Sequence, residues 1–268
     1  MEDAFTEEKD RNFITALARG LDVLRCFRRN EVELSNTDIS ERTGLPKATV
    51  SRLTYTLCKL DYLVADQRTG TYRLSAGVLQ LGFGVLSALD IADRAESAMK
   101  ALRDGPNSYI TVALGERHRM DVVYLAVQTS REDVALTMRV GARLPLFFSA
   151  IGRAILVGMD NDRRQQAFDE AREFDPQGEE ARRTSFAAAL EEFEKAGYCT
   201  GYGDWRPDVN GIAVPVTCLS GGRVFGLNVG GPSFHVKKKQ LETVYAKRLI
   251  QAGHALSLRQ HQPGDVAE

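Results

Sequence analysis

The amino-acid sequence predicts an α+β fold divided into two domains. The chain has 268 residues, which is more than one ordinary core holds. Its first 75 residues have the pattern of short helices followed by a β-hairpin, and the rest alternates β-rich runs with amphipathic helices. With 43% hydrophobic and 26% charged residues, the composition is that of a globular protein and excludes collagen-like and disordered classes.

Net charge and cysteine content limit the partners and the cellular compartment that the sequence suggests. The net charge is −1, so a nucleic-acid site would have to be a local basic patch. The four cysteines are far apart, which argues against structural zinc and against a disulfide scaffold. The amino terminus is acidic, and no run of about 18 apolar residues occurs, so we expect a cytoplasmic protein.

Two helices are predicted at the start of the chain. The first covers residues 15–27, and its apolar residues recur at helical steps that should place Leu17, Leu21, Leu24 and Phe27 toward the core. In the second, the Ser35 hydroxyl can cap the first turn and Gly44 suits the left-handed residue that ends it.

A third helix is predicted from Pro46, which suits a first turn. Its buried stripe should contain Val50, Leu53, Leu57 and Leu60. The opposite side is small and basic, a composition that suits the groove of a nucleic acid: Lys47, Ala48, Ser51, Arg52, Tyr55 and Lys59.

A hairpin completes this domain. Strand-like runs at 62–65 and 71–74 flank a loop that contains Asp66 and Gly70. Between Arg42 and Arg73 six basic residues face two acidic ones, a local net charge of about +4. Together these features predict a winged helix-turn-helix domain at 13–75 that binds DNA, the alternative being an ordinary helical hairpin in a protein-interaction domain.

The remaining chain is predicted to contain a linker and a second domain. Residues 76–91 are apolar around most of a helix, which indicates a dimerising linker helix. Residues 92–258 should form an α+β domain with an antiparallel sheet, and residues 259–268 a disordered tail. Its predicted strands lie at 109–114, 121–127, 134–140, 211–219 and 224–229.

Six sequence blocks follow one another at 18–24, 42–53, 72–75, 139–145, 151–156 and 212–216. In this order they resemble the signature blocks of the IclR family of bacterial transcriptional regulators. The resemblance runs from about residue 13 to residue 257. It implies a winged helix-turn-helix domain, a linker helix and a GAF-like effector-binding domain, in a homodimer or a dimer of dimers that binds double-stranded operator DNA and a small metabolite.

The resemblance also implies site residues. Those nearest the DNA would be Lys47, Ala48, Thr49, Ser51, Arg52 and Tyr55 from the helix and Arg68 and Thr69 from the wing. We assign Lys47 and Arg68 to phosphates and Ser51 and Arg52 to bases. The effector pocket would include Phe147, Phe148, Ser149, Ala150, Ile151, Gly152, Asp204, Trp205, Gly211, Asn228 and Gly230.

The sequence departs from the family pattern within this pocket. A Trp-containing loop at 203–211 replaces the usual turn sequence, and Asn228 stands where many members have serine. The ligand of a relative therefore does not transfer directly. Phe147, Phe148 and Trp205 favour an aromatic or other hydrophobic carboxylic acid, although plain core packing is the alternative for the two phenylalanines.

Enzyme chemistry is not indicated. The sequence has no complete dinucleotide or phosphate-binding loop, and its four histidines lack metal-ligand spacing. We therefore predict a protein that is not an enzyme and has no cofactor or metal. Two alternatives remain open: an enzyme with an accessory helical domain, and a sensor or dimerisation protein without sequence-specific DNA binding.

Overall fold

A computed structural model describes residues 12–28, 31–87, 90–132, 138–217 and 222–258. The chain forms two compact units, Met1–Ala88 and Leu89–Glu268. Within the described part, no helix is both long enough and apolar enough to cross a membrane. The predicted tail at 259–268 lies outside the described residues, as does Cys218.

The first unit is a small helical bundle with a three-stranded sheet. Its elements are α1 (Thr15–Arg25), β1 (Leu34–Ser35), α2 (Asn36–Thr43), α3 (Lys47–Lys59), β2 (Leu63–Asp66), β3 (Thr71–Leu74) and α4 (Gly77–Ser87). The sheet is antiparallel in the order β1-β3-β2. The sequence did not predict β1, which has only two residues. Residues 88 and 89 of the predicted linker lie outside the described residues.

Local signals explain the ends of α2. The Ser35 hydroxyl accepts a hydrogen bond from the Asp38 backbone N–H at 3.3 Å, and the Ser35 backbone N–H donates to the Asp38 carboxylate at 2.8 Å. This reciprocal capping box satisfies two N–H groups that the helix leaves unpaired. At the other end Gly44 has a φ of 69°, a left-handed conformation that glycine adopts without steric cost.

Two expectations about this unit were wrong. Leu17 and Leu21 are 61% and 41% exposed, because α1 packs on the core only near its C-terminal end, through Val23 and through Cys26, which follows the helix. Leu60 is 59% exposed, since it follows the last residue of α3. The described first unit therefore carries an apolar surface on α1 that its own core does not cover.

The second unit is built on a six-stranded sheet. Its elements are α5 (Asp90–Arg103), β4 (Thr111–His118), β5 (Asp121–Gln128), β6 (Arg143–Pro145), α6 (Ala150–Gly158), α7 (Asn161–Phe174), α8 (Glu179–Ala196), β7 (Cys199–Tyr202), β8 (Val209–Thr217), β9 (Val224–Pro232), α9 (Lys238–Gln240), a π-helical turn (Leu241–Tyr245) and α10 (Ala246–Leu258). The strand order is β6-β5-β4-β9-β8-β7, and every pair is antiparallel. The α+β prediction is confirmed.

Helices cover both faces of this sheet. Side chains alternate along each strand, so Val112 and Leu114 of β4 meet α5 and α10 on one face, whereas Ala113 points to α6 on the other. The apolar core on the α5 and α10 face is made of large residues. The α6 face combines larger residues such as Tyr124 with small ones such as Ala113, Ala213 and Gly226, and α6 approaches the sheet closely at Gly226.

The strand predicted at 134–140 is not confirmed. Residues 138–140 are not in a strand, and 133–137 lie outside the described residues. The short strand β6 pairs with β5 at the sheet edge instead. The strand β7, which the sequence analysis also missed, has four residues and forms the opposite edge.

Candidate functional site

The outward face of α3 is the candidate nucleic-acid interface. Lys47, Ala48, Ser51, Arg52 and Tyr55 are exposed and Thr49 is half-buried. The other side of the helix is anchored by the buried residues Val50, Thr54 and Leu57. The Thr54 hydroxyl donates to the Val50 carbonyl at 3.0 Å, so the one polar residue of this stripe is satisfied inside the core.

The turn before α3 fixes where its first residues lie. The backbone N–H groups of Thr49 and Val50 donate to the Pro46 carbonyl at 2.8 and 3.0 Å, so α3 begins directly after Pro46. Only Gly44, Leu45 and Pro46 separate it from α2. This tight turn leaves the exposed Lys47 and Ala48 in the first turn of the second helix of a helix-turn-helix.

The wing loop is held by its own backbone contacts. The Asp66 carboxylate accepts hydrogen bonds from the backbone N–H groups of Arg68 and Thr69 at 2.8 and 3.4 Å. The bond from Arg68 is the main cause that lowers the pKa of Asp66. Gly70 has a φ of 69° and its N–H donates to the Asp66 carbonyl. Arg68 and Thr69 are therefore presented at the exposed tip of the loop.

The basic residues of this surface differ in their partners. Arg42 forms an ion pair with Glu31 at 2.8 Å and donates a hydrogen bond to the Cys26 carbonyl at 2.9 Å. Its guanidinium therefore has partners within the first unit. Among the described residues, Lys47, Arg52 and Arg68 have no carboxylate within the 4.0 Å limit of an ion pair. Their side chains are exposed, which suits contact with an external anion.

The second unit encloses a cavity of about 40 Å³ between the sheet and α6. Its floor is the α6 face of β8 and β9, one wall is the first turn of α6, and Trp205 of the β7–β8 loop closes another side. The residues that line it are Thr111, Tyr124, Met138, Leu144, Ala150, Ile151, Gly201, Trp205, Val209, Asn210, Gly211, Asn228, Gly230 and Gly231.

Glycines set the distance between α6 and the sheet. A Cβ on Gly226 would lie 2.4 Å from Ile151 Cγ1, and one on Gly201 would lie 2.8 Å from the Ala150 nitrogen. Either distance is too short for a real side chain, so α6 can pack this close to the sheet only because these positions are glycine. Gly211 is different, because a Cβ there would have no neighbour closer than 3.4 Å. Its missing side chain leaves the space that becomes cavity.

The polar groups of the cavity are neutral. Tyr124 is 2% exposed, and burial raises the pKa of its phenol while the hydrogen bond with Asn228 opposes that rise. The Asn210 amide donates to the Val236 carbonyl at 2.9 Å, and the Thr111 hydroxyl accepts from the Ser130 N–H at 3.3 Å. Asn228 Oδ1 is buried without a hydrogen-bond partner in the described part of the chain. No charged side chain is among the described lining residues.

A charged pair holds the loop that carries Trp205. Arg153, on α6, donates to the Asp204 carboxylate at 2.6 Å and to the Thr200 carbonyl at 2.9 Å, and its side chain is only 12% exposed. The Arg206 guanidinium lies 5.5 Å from the centre of the Trp205 ring. Trp205 is the single tryptophan of the chain, so its fluorescence reports on this cavity directly.

The structure brings only part of the predicted pocket together. Six predicted residues line the cavity: Ala150, Ile151, Trp205, Gly211, Asn228 and Gly230. The others lie outside its lining. Phe147 packs against Phe168 with ring centres 4.9 Å apart, and the Ser149 hydroxyl accepts from the Gly152 N–H and caps α6. Phe148 packs against the same core, and Asp204 pairs with Arg153.

Sequence reasoning missed lining residues from other strands and loops. These are Thr111, Tyr124, Met138, Leu144, Gly201, Val209, Asn210 and Gly231. Most lie on strands whose pairing brings them to the α6 face, and period-two alternation with small residues was the only signal that could have identified them.

Comparison with known families identifies the chain. The family model described as the IclR helix-turn-helix domain matches residues 16–67, and the model described as the bacterial transcriptional regulator IclR C-terminal domain matches residues 83–258. The chain belongs to the IclR family. It is therefore a transcriptional regulator with a helix-turn-helix DNA-binding domain and a C-terminal effector domain.

Individual relatives agree with this assignment. The HTH-type transcriptional regulator TsaQ1/TsaQ2 of Comamonas testosteroni is 35% identical, over 85% of this chain and 81% of its own. A crystal structure of an IclR family transcriptional regulator from Brucella abortus is 42% identical, with a TM-score of 0.79 over 95% of this chain and 96% of that chain. An IclR homologue from Microbacterium hydrocarbonoxydans, complexed with 4-hydroxybenzoate, shares the fold at 22% identity, with a TM-score of 0.68 over 90% and 97% of the two chains.

Proposed function

We propose that this regulator binds a pseudo-palindromic operator as a dimer of winged domains and that an aromatic or other hydrophobic carboxylic acid in the sheet cavity modulates that binding. The observation that carries the DNA-binding part is the exposed face of α3, where small residues alternate with cations that have no carboxylate partner among the described residues. We expect the protein to act on DNA in the cytoplasm.

Each residue of this surface has a proposed role. Lys47 and Arg68 neutralise phosphates on either side of the groove, which fixes the register of the protein without reading sequence. Ser51 and Arg52 lie one turn further along α3 and contact base edges, where a bidentate arginine suits guanine. Ala48 and Thr49 permit close approach, and Tyr55 and Thr69 complete the contact surface.

A second copy of the chain is the proposed partner of the uncovered apolar surface. Leu17 and Leu21 of α1 and Leu79 and Leu81 of α4 are exposed, although large apolar residues favour burial. Both helices belong to the first unit. Dimerisation through them would place two α3 helices on successive half-sites of DNA, which is what a pseudo-palindromic operator requires.

The cavity supports binding of an aromatic acid. Ile151, Leu144 and Trp205 offer apolar contacts to a ring. Ala150 and Ile151 form the first turn of α6, where backbone N–H groups lack acceptors within the helix and suit a carboxylate. The 4-hydroxybenzoate complex of the Microbacterium homologue is an example of this fold with such an acid bound.

Ligand binding must move part of the cavity wall. About 40 Å³ holds water but is far below the 300 Å³ or more that is usual for a ligand pocket. We propose that the half-buried side chains of Met138 and Trp205 are the parts of the lining that move. We infer that this movement changes the spacing of the winged domains through the linker at 76–91, with a coupling free energy of about 1–3 kcal/mol.

Fluorescence anisotropy of labelled DNA tests the proposal. The probes are the DNA upstream of the protein's own coding sequence and a scrambled duplex, each at two salt concentrations, with and without a panel of aromatic and aliphatic acids. We expect preference for the upstream DNA, weaker binding at higher salt and a shift in affinity with an aromatic acid. Equal affinity for both probes in all conditions would support a sensor or dimerisation protein instead.

Two substitutions on α3 separate the proposed roles. Arg52→Ala should lose about 1–3 kcal/mol on the upstream DNA and little on the scrambled duplex, because it removes a base contact. Lys47→Ala should weaken both complexes alike and reduce the salt dependence by about one counterion. An Arg52→Ala protein that keeps the wild-type preference would show that this residue does not read the operator.

A further inference from the structure

The hydroxyl groups at the wing form a chain that ends at a carboxylate. The Thr69 and Thr71 hydroxyl oxygens lie 2.6 Å apart, and the Thr71 hydroxyl donates to the Glu33 carboxylate at 3.4 Å. Glu33 comes directly before β1, and β1 pairs with β3, which begins at Thr71. Strand pairing therefore brings a carboxylate to the base of the wing loop, although Glu33 is far from this loop in sequence.

The donors of Thr69 are both engaged within the wing. A hydroxyl has one proton, and Thr71 uses its proton on Glu33, so the Thr69 hydroxyl donates to Thr71. The Asp66 carboxylate interacts with the same Thr69 hydroxyl and is a second acceptor for its proton. The Thr69 backbone N–H donates to Asp66 at 3.4 Å. The hydroxyl oxygen of Thr69 is therefore left as an acceptor.

This arrangement does not suit a phosphate. Thr69 is exposed in the loop, but phosphate oxygens only accept hydrogen bonds, and Thr69 has no donor to give them. The carboxylates of Asp66 and Glu33 also place negative charge next to the hydroxyl chain. The neighbouring Arg68 is an exposed cation and suits a phosphate instead. The partner of Thr69 on DNA therefore has to be a hydrogen-bond donor.

We propose that Thr69 is a specificity-determining residue whose hydroxyl oxygen accepts a hydrogen bond from the 2-amino group of a guanine in the minor groove. This amino group is the only donor on the base edges of that groove. The inference rests on the proposed function, in which α3 lies in the major groove. The wing belongs to a separate hairpin, so it lies over the strand that borders this groove, beside the adjacent minor groove.

Replacing guanine by inosine tests the inference on the full chain. Inosine lacks the 2-amino group but keeps the major-groove acceptors N7 and O6, so the contacts of α3 with base edges are unchanged. The probe is the duplex that the protein prefers, with its guanines replaced one position at a time, at the same place in both half-sites. We expect one such replacement to weaken binding about tenfold in fluorescence anisotropy, because two hydrogen bonds are lost.

Thr69→Val should remove this difference, because valine keeps the shape of threonine and has no acceptor. Thr69→Ala gives the same comparison if valine disturbs the loop, and Thr69→Ser keeps the hydroxyl and should retain the preference for guanine. Thr184→Val, the same change at an exposed position of α8 in the second unit, should behave like the wild type. The readout is the ratio of the affinities for the guanine and inosine duplexes, which a general loss of stability does not change.

The outcomes separate this inference from the proposed function. Equal affinity for the guanine duplex and every inosine duplex would overturn the role of Thr69 while leaving operator binding in place. A guanine preference that survives in Thr69→Val and Thr69→Ala would also overturn it, as would a loss in these variants that is the same on every duplex, which is the behaviour of a phosphate contact. Failure of the wild type to prefer any duplex over the scrambled one would overturn the proposed function, and this inference with it.

Discussion

The two proposed functional surfaces of this regulator are built in opposite ways. The proposed DNA-binding face consists mainly of exposed side chains on α3, with Arg68 and Thr69 added by the wing loop. The proposed effector cavity has four glycines in its lining, at 201, 211, 230 and 231, and it draws residues from six strands and α6. The first surface comes from residues within one short stretch of the chain, 47–69, and the second exists only after the sheet has formed.

This difference separates the residues that support the fold from those that contact a ligand. On α3, an exposed side chain can be substituted without displacing the helix, because the buried residues Val50, Thr54 and Leu57 pack it against the core. In the cavity, neighbouring glycines have different roles. Gly201 allows α6 to lie against the sheet, whereas Gly211 leaves empty space. Substitutions at matched positions can test that distinction.

The largest expected effect is that of Gly152→Ala. Alanine favours a helix over glycine by about 1 kcal/mol, but a Cβ here would lie 2.0 Å from the Leu146 carbonyl oxygen. The clash is with backbone and should dominate, lowering the free energy of unfolding by about 3 kcal/mol or more. Urea unfolding followed by Trp205 fluorescence measures it. Gly211→Ala is the control, and its free energy of unfolding should be close to that of the wild type. Equal free energies of unfolding for the two variants would contradict the packing role of Gly152.

Asp204→Ala should have the next largest effect. It removes the carboxylate that holds Arg153, which is 12% exposed, and hydrogen bonds to charged groups contribute about 1.5–3 kcal/mol. We expect lower stability and a red-shifted Trp205 emission, because the loop loses its attachment to α6. Asp208→Ala breaks a more exposed pair with Arg206 in the same loop and should cost about 1 kcal/mol or less. Identical emission spectra for the two variants would contradict the proposed anchoring.

Gly211→Ala should weaken binding of an aromatic acid about tenfold, or about 1.4 kcal/mol, with little change in stability. The added methyl group occupies cavity space without touching an atom closer than 3.4 Å. Trp205 fluorescence titration with the best ligand measures the affinity. Unchanged affinity would mean that the acid binds elsewhere.

Ser35→Ala should give the smallest effect, a loss of about 1 kcal/mol from the first unit. The capping box of α2 disappears, although the buried Ile39 still holds the helix. Thermal unfolding followed by circular dichroism measures the loss, because Trp205 lies in the other unit. Ser35→Asn keeps a capping oxygen and should restore most of the stability. A full loss in both variants would point to packing of Ser35 in β1 rather than to capping.

The sequence predicted those parts of the molecule that depend on local order. The buried stripe and outward face of α3 follow from helical periodicity, and the ends of α2 follow from Ser35 and Gly44. Helical periodicity identifies an apolar face but does not show whether that face packs on the core of the same unit or on another surface. The exposure of Leu17 was therefore not predicted. Short strands such as β1 and β7 have too few residues to show alternation.

The cavity was less predictable for a physical reason. Tyr124 lines it because alternation along β5 turns its side chain toward α6, and the sequence does not show which face of the sheet α6 covers. Phe147, next to the helix that walls the cavity, turns into the core against Phe168 instead. Proximity in sequence therefore located the region but did not determine which side chains face it.

The space above Gly211 also bears on how this regulator could diverge. Alanine, serine, valine and aspartate are each one nucleotide away from a glycine codon, and a Cβ at this position would have no neighbour closer than 3.4 Å. The shape and polarity of the effector site could therefore change in a single mutational step while the fold stays intact. A duplicated gene could in this way acquire a response to a different small molecule before any of its DNA contacts had altered.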